Sequence, residues 1–245
     1  MTIARIRIHR GRGWTGLVAA LALFLALMPR WSSQPAAQSS GTTVDVAIVL
    51  AVDCSWSVNK SEFDQQMKGL AIALRSQDVV DAIRSGPRGR IAVALLQWSA
   101  PDSQHLTLDW LIIETPADAL LVAARIEAAP RRVADGATSI TAAIDTATEL
   151  HRARPFAADR QVIDVSSDGL NNVGGLPEAA RDRAIAGGIT INTLAILNEV
   201  DYLHFYFRNH IIGGANAFVE VAADYSDYHR AIKRKLLREI GLPIS

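Results

Sequence analysis

The segment Val44-Asp45-Val46-Ala47-Ile48-Val49-Leu50-Ala51-Val52 is apolar at every position but Asp45, and it ends in Asp53-Cys54-Ser55-Trp56-Ser57. A run without polar alternation is expected of a strand buried on both faces of a parallel sheet. Such a strand needs parallel neighbours and helices above and below it. Its end constrains chemistry as well, because D-x-S-x-S places three small oxygen-bearing side chains on one tight loop.

The rest of the chain supplies the neighbours. Arg90–Trp98 reads as a second buried strand, and Leu106–Ile113 as a third, with Leu108, Trp110 and Ile112 alternating on one face. Further strands are expected at Arg160–Val165, Ile189–Leu197 and Phe218–Ala222. Helical periodicity marks Asn59–Ser76, with Glu62 placed three residues after Asn59 as in a capping box. It also marks Pro116–Ala129, Thr138–Arg152 and Asp224–Ile240, while Asp201–His210 reads as a helix or an aromatic loop. Pro177–Ala186 opens on proline and stops at Gly187-Gly188. Strand–helix alternation of this kind predicts an α/β, Rossmann-like open, mostly parallel sheet with helices on both faces. Ligands of such sheets bind at the carboxyl ends of strands.

The amino terminus has a different character. Residues 1–37 hold five arginines and no acid, and they include the apolar run Gly16–Met28. That run is short for a membrane span, which needs about 20 residues. It matches a secretory signal peptide, with an uncleaved signal-anchor as the alternative. Residues 38–43 read as a linker and 44–242 as the domain. Without residues 1–37 the chain holds 20 basic and 25 acidic residues, a net of −5, which does not favour nucleic acid. Export to the periplasm, the cell envelope or the medium is the expectation, with the membrane touched only through an uncleaved amino terminus. Cys54 is the single cysteine, so no internal disulfide forms, and its place after a buried strand suits a small core hydrophobe.

Three segments carry oxygen donors to strand ends or helix starts: Asp53, Ser55 and Ser57; Gly136-Ala137-Thr138; and Ser167-Asp168-Gly169. In a parallel sheet they converge on one edge. Alone, each is an ordinary turn or helix cap. Together, two carboxylates and three hydroxyls suit a hard cation such as Mg²⁺, which takes oxygen ligands in octahedral geometry. Neutral hydroxyls would leave the ion needing another anionic oxygen, which a carboxylate of a partner protein can supply.

These residues resemble the metal-ion-dependent adhesion site of the von Willebrand factor A-type domain family. Its pattern is D-x-S-x-S, a threonine after Gly-x, and an aspartate in a strand-ending D-G; here Asp53, Ser55, Ser57, Thr138 and Asp168. The resemblance spans roughly Val44 to Ile240. It implies bound Mg²⁺ (or Mn²⁺) and a protein-binding role without catalysis. By the same resemblance Ser55, Ser57 and Thr138 touch the metal directly, and Asp53 and Asp168 act largely through water. The segments Gly89–Val93, Gln97–Ser99, Ile163–Ser166, Gly188–Asn192 and Ile212–Gly214 look like an uncharacterised family of exported bacterial A-type domain proteins.

The chain departs from that pattern at Trp56, where the family often has glycine. The indole either offers a partner a stacking surface beside the metal or folds back onto a neighbouring loop. Two other functions compete with the adhesion reading: a metal-dependent hydrolase or phosphatase, and a degenerate scaffold without metal. The first needs a general base or nucleophile beside the cation, and Asp164 is the nearest spare carboxylate in sequence. The histidines lack zinc spacing, and Ser166 and Ser167 lack a G-x-S-x-G elbow. Tyr202, Phe205, Tyr206 and Phe207 read as a core cluster, and Lys233, Arg234, Lys235 and Arg238 as a solvated helix face.

Overall fold

The computed structural model describes residues 41–241. The expected signal segment, and the first half of the expected linker, lie outside the described residues. Six strands form one sheet: β1 (Thr43–Asp53), β2 (Ile91–Trp98), β3 (Gln104–Ile113), β4 (Ala157–Ser167), β5 (Ile189–Ile196) and β6 (Val219–Ala222). Their order is β3-β2-β1-β4-β5-β6. All pairings are parallel except that of β3 with β2. The chain moves outward from β1 to β2 and β3, then returns to the other side of β1 with β4. The order therefore reverses between β1 and β4, the switch point where such sheets open a crevice.

Helices α1 (Lys60–Leu74), α2 (Gln77–Ser85), α3 (Pro116–Glu127) and α7 (Tyr228–Ile240) cover one face. Helices α4 (Ile140–Ala153), α5 (Pro177–Ala186) and α6 (Leu203–Tyr206), the last continued by a π-helical turn Phe207–Ile211, cover the other. Strand β1 divides its side chains between the layers. Ile48, Leu50 and Val52 pack with Leu70, Leu74, Ile232 and Leu236; Val49 and Ala51 pack with Ile144 and Ala147. Each fully buried Val, Leu or Ile contributes about 1.5–3 kcal/mol relative to exposure, so the central strand anchors both layers. No described helix is long and apolar enough to cross a membrane.

Several sequence expectations need correction. Helix α2 was not anticipated; Val79, Val80 and Ile83 bury its apolar side in nine residues, too short a stretch to show periodicity. In β3, register shifts opposite Val93–Leu96 break the alternation. Leu108 and Leu111 pack on one layer and Trp110 on the other, while Ile112 is exposed. A β-bulge adds a residue to one strand and so reverses the side-chain phase beyond it. Lys235 is fully buried between Asp164 and Glu239, not solvated. Of the aromatic cluster, Phe207 is in the core, whereas Tyr202 and Phe205 are exposed. Helix α7 begins at Tyr228 rather than Asp224.

Candidate metal centre

The parallel register sets Val52 of β1 beside Ser166 of β4, so the next residues, Asp53 and Ser167, end their strands side by side. The Ser167 hydroxyl donates to Asp53 Oδ2 in a short hydrogen bond. The Ser55 amide donates to Asp53 Oδ1 at 2.7 Å, turning the loop tightly after the strand. Ser57 Oγ lies 3.3 Å from Ser55 Oγ and donates to Asp168 Oδ1 at 2.6 Å. The first and third segments therefore meet directly.

The second segment is tied to both. The Trp56 amide donates to the Gly136 carbonyl at 2.9 Å. The Thr138 amide donates to Asn172 Oδ1 at 2.9 Å, and the Asn172 amide returns to the Thr138 carbonyl at 2.9 Å. A Cβ at Gly169 would lie 3.5 Å from Thr138 Oγ1, so the threonine hydroxyl packs on the Asp168 loop. Ser139, not Thr138, caps α4 by accepting the Ala142 amide, which leaves the Thr138 hydroxyl free of the capping role. Gly174, at φ +88°, presses against the Ser139 side chain where a Cβ would collide. All five expected residues are thus gathered at the switch point.

Four other residues support them. Tyr225, in the loop before α7, donates its phenol to Asp168 Oδ2 at 3.0 Å. Arg131 reaches under the first loop and donates to the carbonyls of Val58 at 2.8 Å and Cys54 at 2.7 Å. With Ser167 and Asn172, they hold the centre together. Ser167 and Asn172 were visible beside Asp168, but their partners were not. Arg131 and Tyr225 carry no local signal, since only folding brings them to these loops.

Electrostatically the centre is uncompensated. Asp53, Ser55 and Asp168 are fully buried and Thr138 nearly so. Burial, then the neighbouring Asp168 charge, push the Asp53 carboxyl up to about 7 despite hydrogen bonds from Ser167 and Ser55. Asp168 is raised as well, chiefly by burial. Among the described residues neither carboxylate has a salt-bridge partner; Arg131 is paired with Asp135. Buried charges are ordinarily paired or coordinate metals. The donor set, carboxylates and hydroxyls alone, is that of a hard divalent cation. Among the described residues no three His, Cys, Asp or Glu side chains are grouped so as to hold a metal ion. The residues therefore fit the ion their spacing suggested.

The centre opens into a cleft of about 560 Å³ lined by Trp56, Ser57, Thr138, Leu170, Asn172 and Val200, among others. Trp56 is 80% exposed, so its indole does not fold back. Cys54 is fully buried and its thiol is pushed up to about 12 by burial, an inert core residue.

Solved structures resemble this domain. Proximal thread matrix protein 1 from the mussel byssus matches at TM-score 0.58 and 17% identity, over 80% of this chain and 48% of that one. The same protein with a zinc-occupied MIDAS motif gives 0.55 and 15%, over 80% and 48%. The pilus adhesin SpaC from Lactobacillus rhamnosus GG gives 0.58 and 12%, over 80% and 30%. A von Willebrand factor type A protein from Catenulispora acidiphila gives 0.53 and 15%, over 81% and 43%. The chain spans less than half the length of each of these chains. At such identities the likeness establishes the fold, that of a von Willebrand factor A-type domain. A search of curated proteins gave no match. Residues 43–243 match the family described as "Protein of unknown function (DUF1194)", and the chain belongs to that family.

Proposed function

We propose that this is an exported protein-binding module whose adhesion centre holds Mg²⁺ (or Mn²⁺) on Asp53, Ser55, Ser57, Thr138 and Asp168. The observation that carries the reading is the pair of buried carboxylates at the switch point, with hydroxyls around them and, among the described residues, no basic side chain paired with them. The bound ion would supply a coordination position for a carboxylate of a partner protein. Asp53 and Asp168 balance its charge, and the serine and threonine hydroxyls leave it electrophilic. Ser167, Tyr225 and Arg131 keep these donors in place before the ion arrives. Trp56 stands beside the opening and offers the partner a flat apolar surface.

Support for a binding role over catalysis comes from Asp164. Its carboxylate lies 2.7 Å from the buried Lys235 ammonium, on the helix-facing side of β4, and cannot serve as a base at the centre. Neighbours of the same fold include a matrix protein, also seen with a zinc-occupied MIDAS motif, and a pilus adhesin, which agrees with adhesion and with a divalent ion. In this reading residues 1–37 are the signal peptide or signal-anchor, 38–43 the linker and 44–242 the binding domain, working in the periplasm or cell envelope.

Calorimetric titration with Mg²⁺, run on the wild type and on Asp53→Ala, tests the centre. Heat is expected from the wild type alone, and no heat from either protein removes the proposal. Capture of proteins from cell-envelope extract, with Mg²⁺ or with chelator, tests the bridge; recovery indifferent to chelation would place the contact on another surface. Trp56→Gly is expected to keep the Mg²⁺ heat and lose the captured partner.

A further inference from the structure

Two residues beside the metal centre hold large apolar side chains in solvent. Trp56, inside the first metal loop, is 80% exposed, and Leu176, in the loop after β4, is 76% exposed. Leu176 occupies the N-cap of α5 and makes no capping hydrogen bond, although Ser, Thr, Asp or Asn there would satisfy a free amide. The turn that projects it is fixed. Asn171 Oδ1 accepts from the Thr141 amide at 3.1 Å and Asn171 Nδ2 donates to the Gly175 carbonyl at 2.9 Å, which ties the turn to α4. Departures from local preference without a structural return are expected at functional sites.

Each of the two borders a cavity, and the cavities adjoin. Trp56, Leu170 and Val200 wall the metal cleft of about 560 Å³, and none of the described residues lining it is charged. Leu176, Val173 and Tyr206 wall a second cavity of about 390 Å³. Leu170, Val200 and Tyr206 pack against the core, so these walls are anchored. The charged residues of the second cavity, Glu178 and His210, are paired with each other at 2.5 Å, and Tyr206 stacks on the His210 ring. Asn172 lines both cavities. Its Oδ1 accepts from the Thr138 amide, and its Nδ2 has no acceptor among the described residues.

We propose that the partner enters as an extended peptide segment carrying an acidic residue and, two positions along, a large apolar one. The carboxylate reaches the ion beside Trp56, the apolar side chain fills the cavity beside Leu176, and Asn172 Nδ2 donates to the backbone between them. The proposal rests on the metal-bridge reading above. Residues i and i+2 of an extended segment point the same way and lie about 6.5 Å apart, comparable with the breadth of the one residue shared by the two cavities. A second acid is disfavoured in the second cavity, where Glu178 already supplies negative charge. With about 390 Å³, that cavity is near the small end of ligand pockets, roughly 300–1,000 Å³, and takes a single side chain rather than a helix of the partner.

The test pans phage-displayed random peptides on the immobilised full chain in Mg²⁺ and releases the bound phage with chelator. Released sequences are expected to be enriched in Asp or Glu with a large aliphatic or aromatic residue two positions away. A synthetic peptide of the enriched sequence is then titrated into the wild type and Leu176→Ser. The serine supplies the missing N-cap, so melting temperature and Mg²⁺ heat should hold, while peptide affinity falls about 10-fold or more for the lost apolar contact. Replacing the peptide's apolar residue by glycine should cost the wild type a similar factor and Leu176→Ser little more, as for two groups in contact. Acids enriched with no apolar residue at that spacing, no enrichment released by chelator, or Leu176→Ser binding the peptide as wild type does would each overturn the inference and leave the Mg²⁺ titration intact. Absence of Mg²⁺ heat in the wild type removes the metal-bridge reading itself, and the inference with it.

Discussion

Asp53→Asn isolates the electrostatic burden of the centre. With its pKa raised from 3.8 to about 7, the ionised carboxylate costs folding roughly 4 kcal/mol, at about 1.36 kcal/mol per unit. The sign follows from the direction. A carboxyl whose folded pKa is raised contributes stability below pH 3.8 and loses it as pH climbs to about 7. Asparagine removes the charge but places an amide donor against Ser55 N–H or the Ser167 hydroxyl. Ser167 can turn to accept it, because the Gly169 carbonyl lies 3.3 Å away to take its proton. Allowing about 1–2 kcal/mol for the imperfect exchange, Asp53→Asn should gain about 2–3 kcal/mol in chelator at pH 8. In a domain of this size that is a rise in melting temperature of roughly 5–10 °C. At pH 5 the wild-type carboxyl is protonated in the fold, and the gap should nearly close. With Mg²⁺ at pH 8 the order should reverse, since only the wild type can bind and be stabilised by mass action. Scanning calorimetry under these three conditions decides it. A variant that melts below wild type in chelator at pH 8, or gains as much from Mg²⁺, refutes the reasoning.

Arg131→Ala removes the guanidinium that holds the Cys54 and Val58 carbonyls; Mg²⁺ affinity should fall about 10-fold or more, and an unchanged titration would deny it a positioning role. His151 is buried with its Nε2 against the Val162 carbonyl, and burial lowers it to about 4. The unfolded chain takes that proton first, so stability should fall as pH drops from 6.5 toward 4. Denaturant unfolding at pH 7 and near pH 4.5 should show His151→Gln gaining about 2–3 kcal/mol on wild type across the interval; parallel profiles would contradict this. Lys235→Met leaves Asp164 and Glu239 buried without their ammonium and should cost about 3–5 kcal/mol at neutral pH. Adding Asp164→Asn and Glu239→Gln should recover much of that loss, as urea midpoints would show.

Elements with their own periodicity or punctuation were legible. The run Val44–Val52 announced a central strand, Asn59 with Glu62 announced the capping box that the structure contains, and Pro177 with Gly187-Gly188 bounded α5. Elements whose character depends on neighbours were not. The bulges of β3 follow from its pairing with β2. Lys235 reads as one of several surface lysines and arginines until α7 docks its ammonium on β4. The site divides the same way. Asp53, Ser55 and Ser57 share a loop by chain connectivity, and Thr138 and Asp168 follow from strand ends on one edge. Tyr225 and Arg131 lie far along the chain from the atoms they hold.

By itself, then, the sequence determined which segments must be buried, that the strands run mostly parallel, and that five oxygen-bearing residues end on one edge, because apolar runs and strand ends are local properties of the chain. Tertiary structure decided the rest. The order β3-β2-β1-β4-β5-β6 sets the β1 and β4 ends side by side, which seals Asp53 and Asp168 from water and raises both carboxyls. The same packing leaves Trp56 and Leu176 in solvent. Those outcomes depend on desolvation and on distances across the chain, and neither is written in the spacing of residues along it.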